Sequence, residues 1–235
     1  MSNLTGTERA KYVQDMFGRI AHRYDLLNRL MTLGQDIGWR KTAIEHLEIA
    51  AGDIVLDLGA GTGDIAYEAA RRHPGAFVIA SDFTAEMVMV GKQRPDGDRV
   101  AWVIADAMCL PFASGCAEAV VSGYLLRNVP DVGQTLNEQH RVLKPGGRAA
   151  SLDTTPPRDN LLKPFIEFYF RRVIPLLGRL VAGDAEAYTY LPSSTEQFLT
   201  AENLAERFEQ AGFKEIGFVR KMFATMAIHW GSKRK

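Results

Sequence analysis

The chain has 235 residues, of which 46% are apolar and 24% charged, a composition that supplies a sizeable core for one generous domain. Lysine and arginine together number 28, as do aspartate and glutamate, so the formal net charge is zero and the broad basic footprint of a nucleic-acid binder is excluded. There is no apolar run of the length that spans a bilayer and no signal- or transit-like start, and Cys109 and Cys116 read as ordinary thiols of a reducing compartment; the expected location is cytoplasmic.

In chain order, residues 8–33 place Val13, Met16, Phe17, Ile20, Tyr24, Leu27, Leu30 and Met31 three and four apart, which predicts an amphipathic helical region and a helical cap over 1–50. After Gly52 the rhythm changes. Strand-like runs at 53–58, 76–81, 99–104, 117–123 and 147–153 alternate with helical stretches at about 63–73, 84–93 and 131–143. Short buried strands alternating with helices predict an α/β fold with a doubly wound, Rossmann-like parallel sheet over 51–155. In LKPGG, Lys144 is expected in the last turn of the third of these helices, before the stop signals. An apolar insertion follows at 156–199, and residues 200–235 read as a helix and an antiparallel hairpin. Lys233, Arg234 and Lys235 read as a solvated tail. The whole is read as a single domain.

The stretch VLDLGAGTGDIA (55–66) is a strand, a glycine turn and a helix start, whose free N–H groups suit an anionic ligand group. Gly59, Gly61 and Gly63 are spaced GxGxG, not the GxGxxG of a pyrophosphate cradle, and Asp57 sits two residues ahead of them. A carboxylate there repels a pyrophosphate and suits an ammonium group, which disfavours a dehydrogenase and favours S-adenosylmethionine. Asp82 ends the second strand, where a carboxylate can accept from both ribose hydroxyls. Asp106 follows the third strand, placed for the adenine edge.

Beyond these common motifs, FGRIAHRYDLLNRLMTLGQDIGWRK (17–41), LLRNVPD (125–131), FYFRRVIPLLGRL (168–180), YTYLPSSTEQF (188–198) and IHWGSK (228–233) are more specific. With them, the chain resembles the ubiquinone/menaquinone C-methyltransferases among the class I S-adenosylmethionine-dependent methyltransferases, over nearly its whole length. The resemblance implies a seven-stranded sheet with the last strand antiparallel, and the N-terminal helices and the 156–199 insertion covering the cofactor. It implies that Thr62, Asp82, Asp106 and Ala107 line the cofactor, and Gly123 too, although the family commonly has serine there. Leu125 stands where the family commonly has glycine, and DTTPP replaces a more usual acidic-aromatic-serine stretch.

The implied reaction is C-methylation of a lipophilic, prenylated quinol, a demethylmenaquinol or the related polyprenyl benzoquinol. Another aromatic or lipid acceptor, or a weakly active cofactor-binding scaffold, is the alternative. A quinol carbon becomes nucleophilic when a neighbouring hydroxyl is ionised, so a fixed cation at the end of the fourth strand suits the chemistry. Arg127 is that cation, with Asn128 adding a hydrogen bond or holding it; the competing reading is an ion pair with an acid such as Asp131. Tyr24 and Asp25 are substrate-lid candidates on the resemblance, against core packing for Tyr24 and a helix-surface pair with Arg29 for Asp25. Tyr188 and Tyr190 carry the same two readings. Residues 161–183 read either as a helix packed on the sheet, with Lys163, Glu167 and Arg171 as its wet edge, or as an apolar lid for an isoprenoid tail that dips into the membrane surface. A peripheral contact at the inner membrane face and a homo-oligomer are compatible with this reading, and no metal is required.

Overall fold

The structure is a computed structural model that describes residues 6–157, 163–174, 176 and 194–235. The N-terminal region folds as three helices: α1 (Gly6–Ile20), α2 (Tyr24–Met31) and α3 (Asp36–Glu45). A single 3-10 turn at Ala21–Arg23 breaks the predicted continuous region between α1 and α2. Leu33 and Gly34 then adopt left-handed φ of 52° and 75°, and the Gly34 N–H returns to the Arg29 carbonyl at 2.8 Å, which ends α2. The Thr32 hydroxyl donates to Asp36 Oδ1 at 2.8 Å and so fixes the angle at which α3 departs.

The core alternates as predicted: β1 (Ile54–Leu58), α4 (Asp64–Arg72), β2 (Phe77–Asp82), α5 (Ala85–Lys92), β3 (Ala101–Ile104), β4 (Ala117–Gly123), α6 (Val132–Val142) and β5 (Leu143–Thr154). Helix α7 (Lys163–Phe168) runs into a π turn at Tyr169–Val173. Helix α8 (Ala201–Gln210) precedes the hairpin of β6 (Lys214–Lys221) and β7 (Met226–Ser232). The seven strands lie in the order β3-β2-β1-β4-β5-β7-β6, with β7 antiparallel to both neighbours and the other central pairs parallel. Side-chain alternation along the strands feeds two cores. Val55, Val121 and Leu152 pack against Trp39 and Ile44 of α3 and against α4 on one face. Leu56, Leu58 and Val120 pack against Leu136 of α6 and Phe208 of α8 on the other.

A third, smaller cluster joins Met16, Ile20, Leu27 and Met31 of the N-terminal helices to Ile174 of the insertion. The Tyr169 hydroxyl donates to the Met31 carbonyl at 2.8 Å, so the cap and the insertion support one another beside the sheet. Of the 161–183 segment, the charged edge and the proline at 175 lie outside the described side chains, as do Tyr188 and Tyr190.

The readings of two lysines, Lys144 and Lys233, need correction. Helix α6 stops at Val142, and Lys144 belongs to the irregular start of β5, where the register shifts between Ala117–Leu143 and Ala119–Arg148 and Lys144 pairs with Glu118. Lys233 is not part of a solvated tail. Its Nζ donates to the carbonyls of His140 and Leu143, each at 2.8 Å, and so caps the C-terminus of α6.

The strand order reverses between β1 and β4, which run side by side with Asp57 opposite Val121 and Leu58 opposite Ser122. A doubly wound sheet opens a crevice at that reversal, beyond the carboxyl ends of its strands. The glycine turn after β1 and the SGYLLRN segment leaving β4 therefore face each other across one opening.

Candidate active site

Two adjoining cavities occupy the crevice. The larger, an open space of about 800 Å³ that includes solvent at its mouth, is bordered by Gly59, Gly61, Asp82, Asp106 and Ala107, and by Phe17 and Tyr24 of the cap. The smaller, an open space of about 370 Å³, is lined by residues of the glycine turn and of α2 and α3, with Asp57, Thr62, Asn28 and Arg40 among them. Tyr24, Gly59, Gly61, Gly123 and Tyr124 border both, so the two spaces adjoin at those five residues.

Backbone geometry explains the glycines. Gly61 has φ of 57°, and its N–H donates to Asp82 Oδ2 at 2.7 Å. Gly59 has φ of 62°, and a Cβ there would lie 2.7 Å from Leu125 Cδ1. Gly63 borders neither cavity; it caps α4 at φ of 88° with Trp102 and Tyr67 packed where a Cβ would stand. Gly123 is less constrained: a Cβ would approach Ile65 Cδ1 to 2.6 Å, but that atom is the movable end of its side chain.

The three acids at the strand ends have different surroundings. Asp82 Oδ1 accepts from the Thr84 N–H at 2.8 Å, and burial raises its pKa against the pull of these backbone donors. Asp106 Oδ1 accepts from the Met108 N–H at 2.8 Å, which fixes the turn under the larger cavity. Asp57 is the most buried, at 1% exposure, and burial pushes its carboxyl up to about 8. Its Oδ2 accepts from the Ala66 N–H at 2.9 Å, whereas its Oδ1 has no hydrogen-bond partner among the described residues. An unsatisfied buried carboxylate oxygen costs free energy until a donor arrives.

The lid candidates divide. Tyr24 borders both cavities and packs edge-to-face on Phe17 at 5.6 Å, so it is both core and wall; burial raises its pKa. Asp25 does not pair with Arg29 as the helix spacing suggested. It accepts from the Thr62 hydroxyl at 2.5 Å and pairs with Arg94 at 3.4 Å. Arg94 also pairs with Asp64 at 2.5 Å, Asp64 pairs with Arg40, and Arg40 pairs with Asp36 at 2.9 Å. Burial works against the charge of Arg40, yet Asp64 and Asp36 outweigh it and hold the guanidinium above its ordinary pKa. This chain of charges ties α2 and α3 to the glycine turn and the start of α4.

Arg127 is paired, but not with Asp131, which caps α6 by accepting from the Gln134 N–H at 2.9 Å. Its partner is Asp153 at the end of β5: Nη1 donates to Oδ1 at 2.9 Å and the Arg127 N–H to Oδ2 at 3.2 Å. Burial opposes the Arg127 charge, but Asp153 outweighs it and keeps the group cationic. The guanidinium lies 5.0 Å from the centre of the Tyr124 ring, within cation–π range. Arg127 does not border the two cavities above. It faces a neighbouring space of about 850 Å³ with Phe198 and Leu199, which meets the larger cavity at Val129 and Pro130. Asn128 does reach the larger cavity, and its Nδ2 donates to the Tyr124 carbonyl at 2.7 Å.

Sequence reasoning missed Tyr124, Asn28 and Arg40. Tyr124 has φ of 58°, a left-handed conformation that costs a non-glycine residue about 1–3 kcal/mol, and its buried hydroxyl has no partner among the described residues. No sequence signal marks that strain.

The sequence profile described as the ubiE/COQ5 methyltransferase family matches residues 5–233. The chain belongs to that family. The chain is 49% identical over 221 residues to the ubiquinone/menaquinone biosynthesis C-methyltransferase UbiE of Desulfotalea psychrophila, covering 94% of this chain and 90% of that protein. It is 40% identical over 220 residues to the demethylmenaquinone methyltransferase of Thermus thermophilus, covering 93% and 100%. Among solved structures, Haemonchus contortus phosphoethanolamine N-methyltransferase 2 in complex with S-adenosyl-L-methionine aligns with a TM-score of 0.63 at 16% identity, over 84% of this chain and 53% of that one. The last likeness is one of fold.

As a member of the ubiE/COQ5 family the chain is an S-adenosylmethionine-dependent methyltransferase, and its residues fit that cofactor. The orphaned Asp57 Oδ1 matches an ammonium group, and the larger cavity offers Asp82 and Asp106 to a nucleoside. When bound, the cofactor supplies an electrophilic methyl group on a positively charged sulfur.

Proposed function

We propose that the protein methylates a ring carbon of a prenylated quinol, a demethylmenaquinol or the related polyprenyl benzoquinol, with Arg127 stabilising the phenolate-like charge that makes the carbon nucleophilic. The observation that carries the reading is the buried Arg127–Asp153 pair at the end of β4 and β5, beside the crevice at the sheet's reversal. Asp153 holds the guanidinium by one bond to Nη1 while its other oxygen accepts from the Arg127 backbone N–H, so both ends of the residue are tied to the same carboxylate before charge develops on the acceptor. The Asn128 amide braces the same loop by its bond to Tyr124. The names of the relatives, all from quinone biosynthesis, supply the acceptor class.

The described surface suits a lipid acceptor. Leu26, Leu30 and Leu33 on α2 and its exit, and Phe165 and Phe168 on α7, are exposed; α2 and the residues that follow α7, Tyr169 and Ile174, share the third core. No helix among the described residues is long and apolar enough to cross a membrane. We assign these side chains to the isoprenoid tail and to a peripheral contact with the bilayer from which the acceptor is drawn. The assignment is tested by supplying methyl-labelled cofactor with reduced demethylmenaquinone in vesicles and, separately, with the reduced benzoquinone analogue. Ring-methylated product from at least one is expected. Tight cofactor binding without product from either would leave a scaffold.

A further inference from the structure

The smaller cavity holds more polar groups than the motif that led to it. Asp57 Oδ1 on its sheet side accounts for a positive group. Asn28 on α2 and Tyr124 after β4 add donors to its lining: among the described residues neither Asn28 Nδ2, on a side chain 8% exposed, nor the buried Tyr124 hydroxyl has a hydrogen-bond partner. Asn28 faces the Tyr24 hydroxyl, which also borders the space. Arg40 of α3 belongs to the same lining.

One lone acceptor and two lone donors lining a single cavity, with a cation beside them in the same lining, match the groups of an α-amino acid. We infer that the Tyr124 hydroxyl and the Asn28 amide, backed by Arg40, receive the α-carboxylate at the amino-acid end of the cofactor, while Asp57 receives its ammonium. Tyr124 borders this cavity, whereas Arg127, 5.0 Å from the Tyr124 ring centre, does not, which assigns the Tyr124 hydroxyl to the ligand held in this space. Arg40 is already paired with Asp36 and Asp64, so recognition rests on the direction of the two donors more than on net charge.

Decarboxylated S-adenosylmethionine supplies the test, because it lacks the α-carboxylate and keeps every other group. Binding of both ligands is measured by calorimetry, without acceptor, to the full chain and to Tyr124→Phe and Asn28→Leu, with thermal melts confirming that each variant is folded. The wild type is expected to prefer the intact cofactor, although the acid-rich surroundings favour the more cationic analogue. Each variant is expected to lose about 10- to 100-fold in affinity for the intact cofactor and less than about threefold for the analogue. Equal affinity of the wild type for both ligands would overturn the assignment, as would equal losses for both in the variants or no loss in either. Acceptor identity does not enter the measurement, so its outcome is independent of the quinol reading.

Discussion

Asp57 is a buried carboxyl whose pKa is raised to about 8 by burial, so at neutral pH the cofactor-free protein holds a proton there that the unfolded chain would release. A carboxyl raised in this way contributes stability that is complete below its unfolded pKa of 3.8 and is lost as pH rises towards about 8. The cofactor-free protein is therefore expected to melt at a lower temperature at pH 8 than at pH 5.5, and Asp57→Asn is expected to reduce that difference. An ammonium partner stabilises the ionised form, so cofactor binding near pH 7 should release a proton. Calorimetry in buffers of different ionisation enthalpy measures that release directly. The same substitution should weaken cofactor binding by about 100-fold or more, since it leaves the ammonium without its charged partner.

Residues of this kind were legible to different degrees. Asp57, Gly59 and Gly61 could be read from the chain because a tight turn at a strand end constrains spacing locally. Arg127 was legible as a charge and as one half of an ion pair, but its partner was not: Asp131 is close in sequence, whereas Asp153 arrives through the β4–β5 register, which brings Gly123 beside Leu152. Asn28, Arg40 and Tyr124 converge only after α2 and α3 fold onto the glycine turn, and no short motif encodes that convergence.

At the scale of elements, the charge chain from Asp25 through Arg94, Asp64 and Arg40 to Asp36 is the main polar tie between the helical cap and the sheet among the described residues. Asp64 is its centre, bonded to both arginines and 11% exposed at its side chain. Removing one member of a buried pair leaves the others uncompensated, so Asp64→Ala should cost about 3 kcal/mol, read as a lowered urea midpoint. The hairpin has its own pH-sensitive joint. His229 on β7 bonds the Ala201 carbonyl of α8 through Nε2 at 2.8 Å, and burial lowers its pKa to about 4. A depressed histidine contributes stability that is present above its unfolded pKa of 6.5 and lost as pH falls through about 4. His229→Gln should flatten the acid limb of stability between those values, measured by thermal melts across that range. The strand and helix alternation was visible in the sequence because buried parallel strands are short apolar runs. The LKPGG segment misled because proline and glycine mark a helix stop and a strand bulge with the same residues.

For the whole molecule, the sheet reversal brings the two glycine-turn cavities and the space beside Arg127 next to one another, with residues of the Tyr124–Pro130 segment on their borders. Under the proposed function this arrangement separates cofactor binding from methyl transfer. Arg127→Ala should lower the rate of methyl transfer by about 100- to 1,000-fold while changing cofactor affinity by less than about threefold, because Arg127 borders neither of the two cavities assigned to the cofactor. The central claim is that transfer depends on a phenolate-like ring held against this cation. It is tested most directly by single-turnover transfer from methyl-labelled cofactor to the same prenylated naphthoquinone in its reduced and its oxidised form. The account predicts a carbon-methylated product from the reduced ring alone, slowed by Arg127→Ala. Equal transfer to the oxidised ring, or an unchanged rate in the variant, would contradict it.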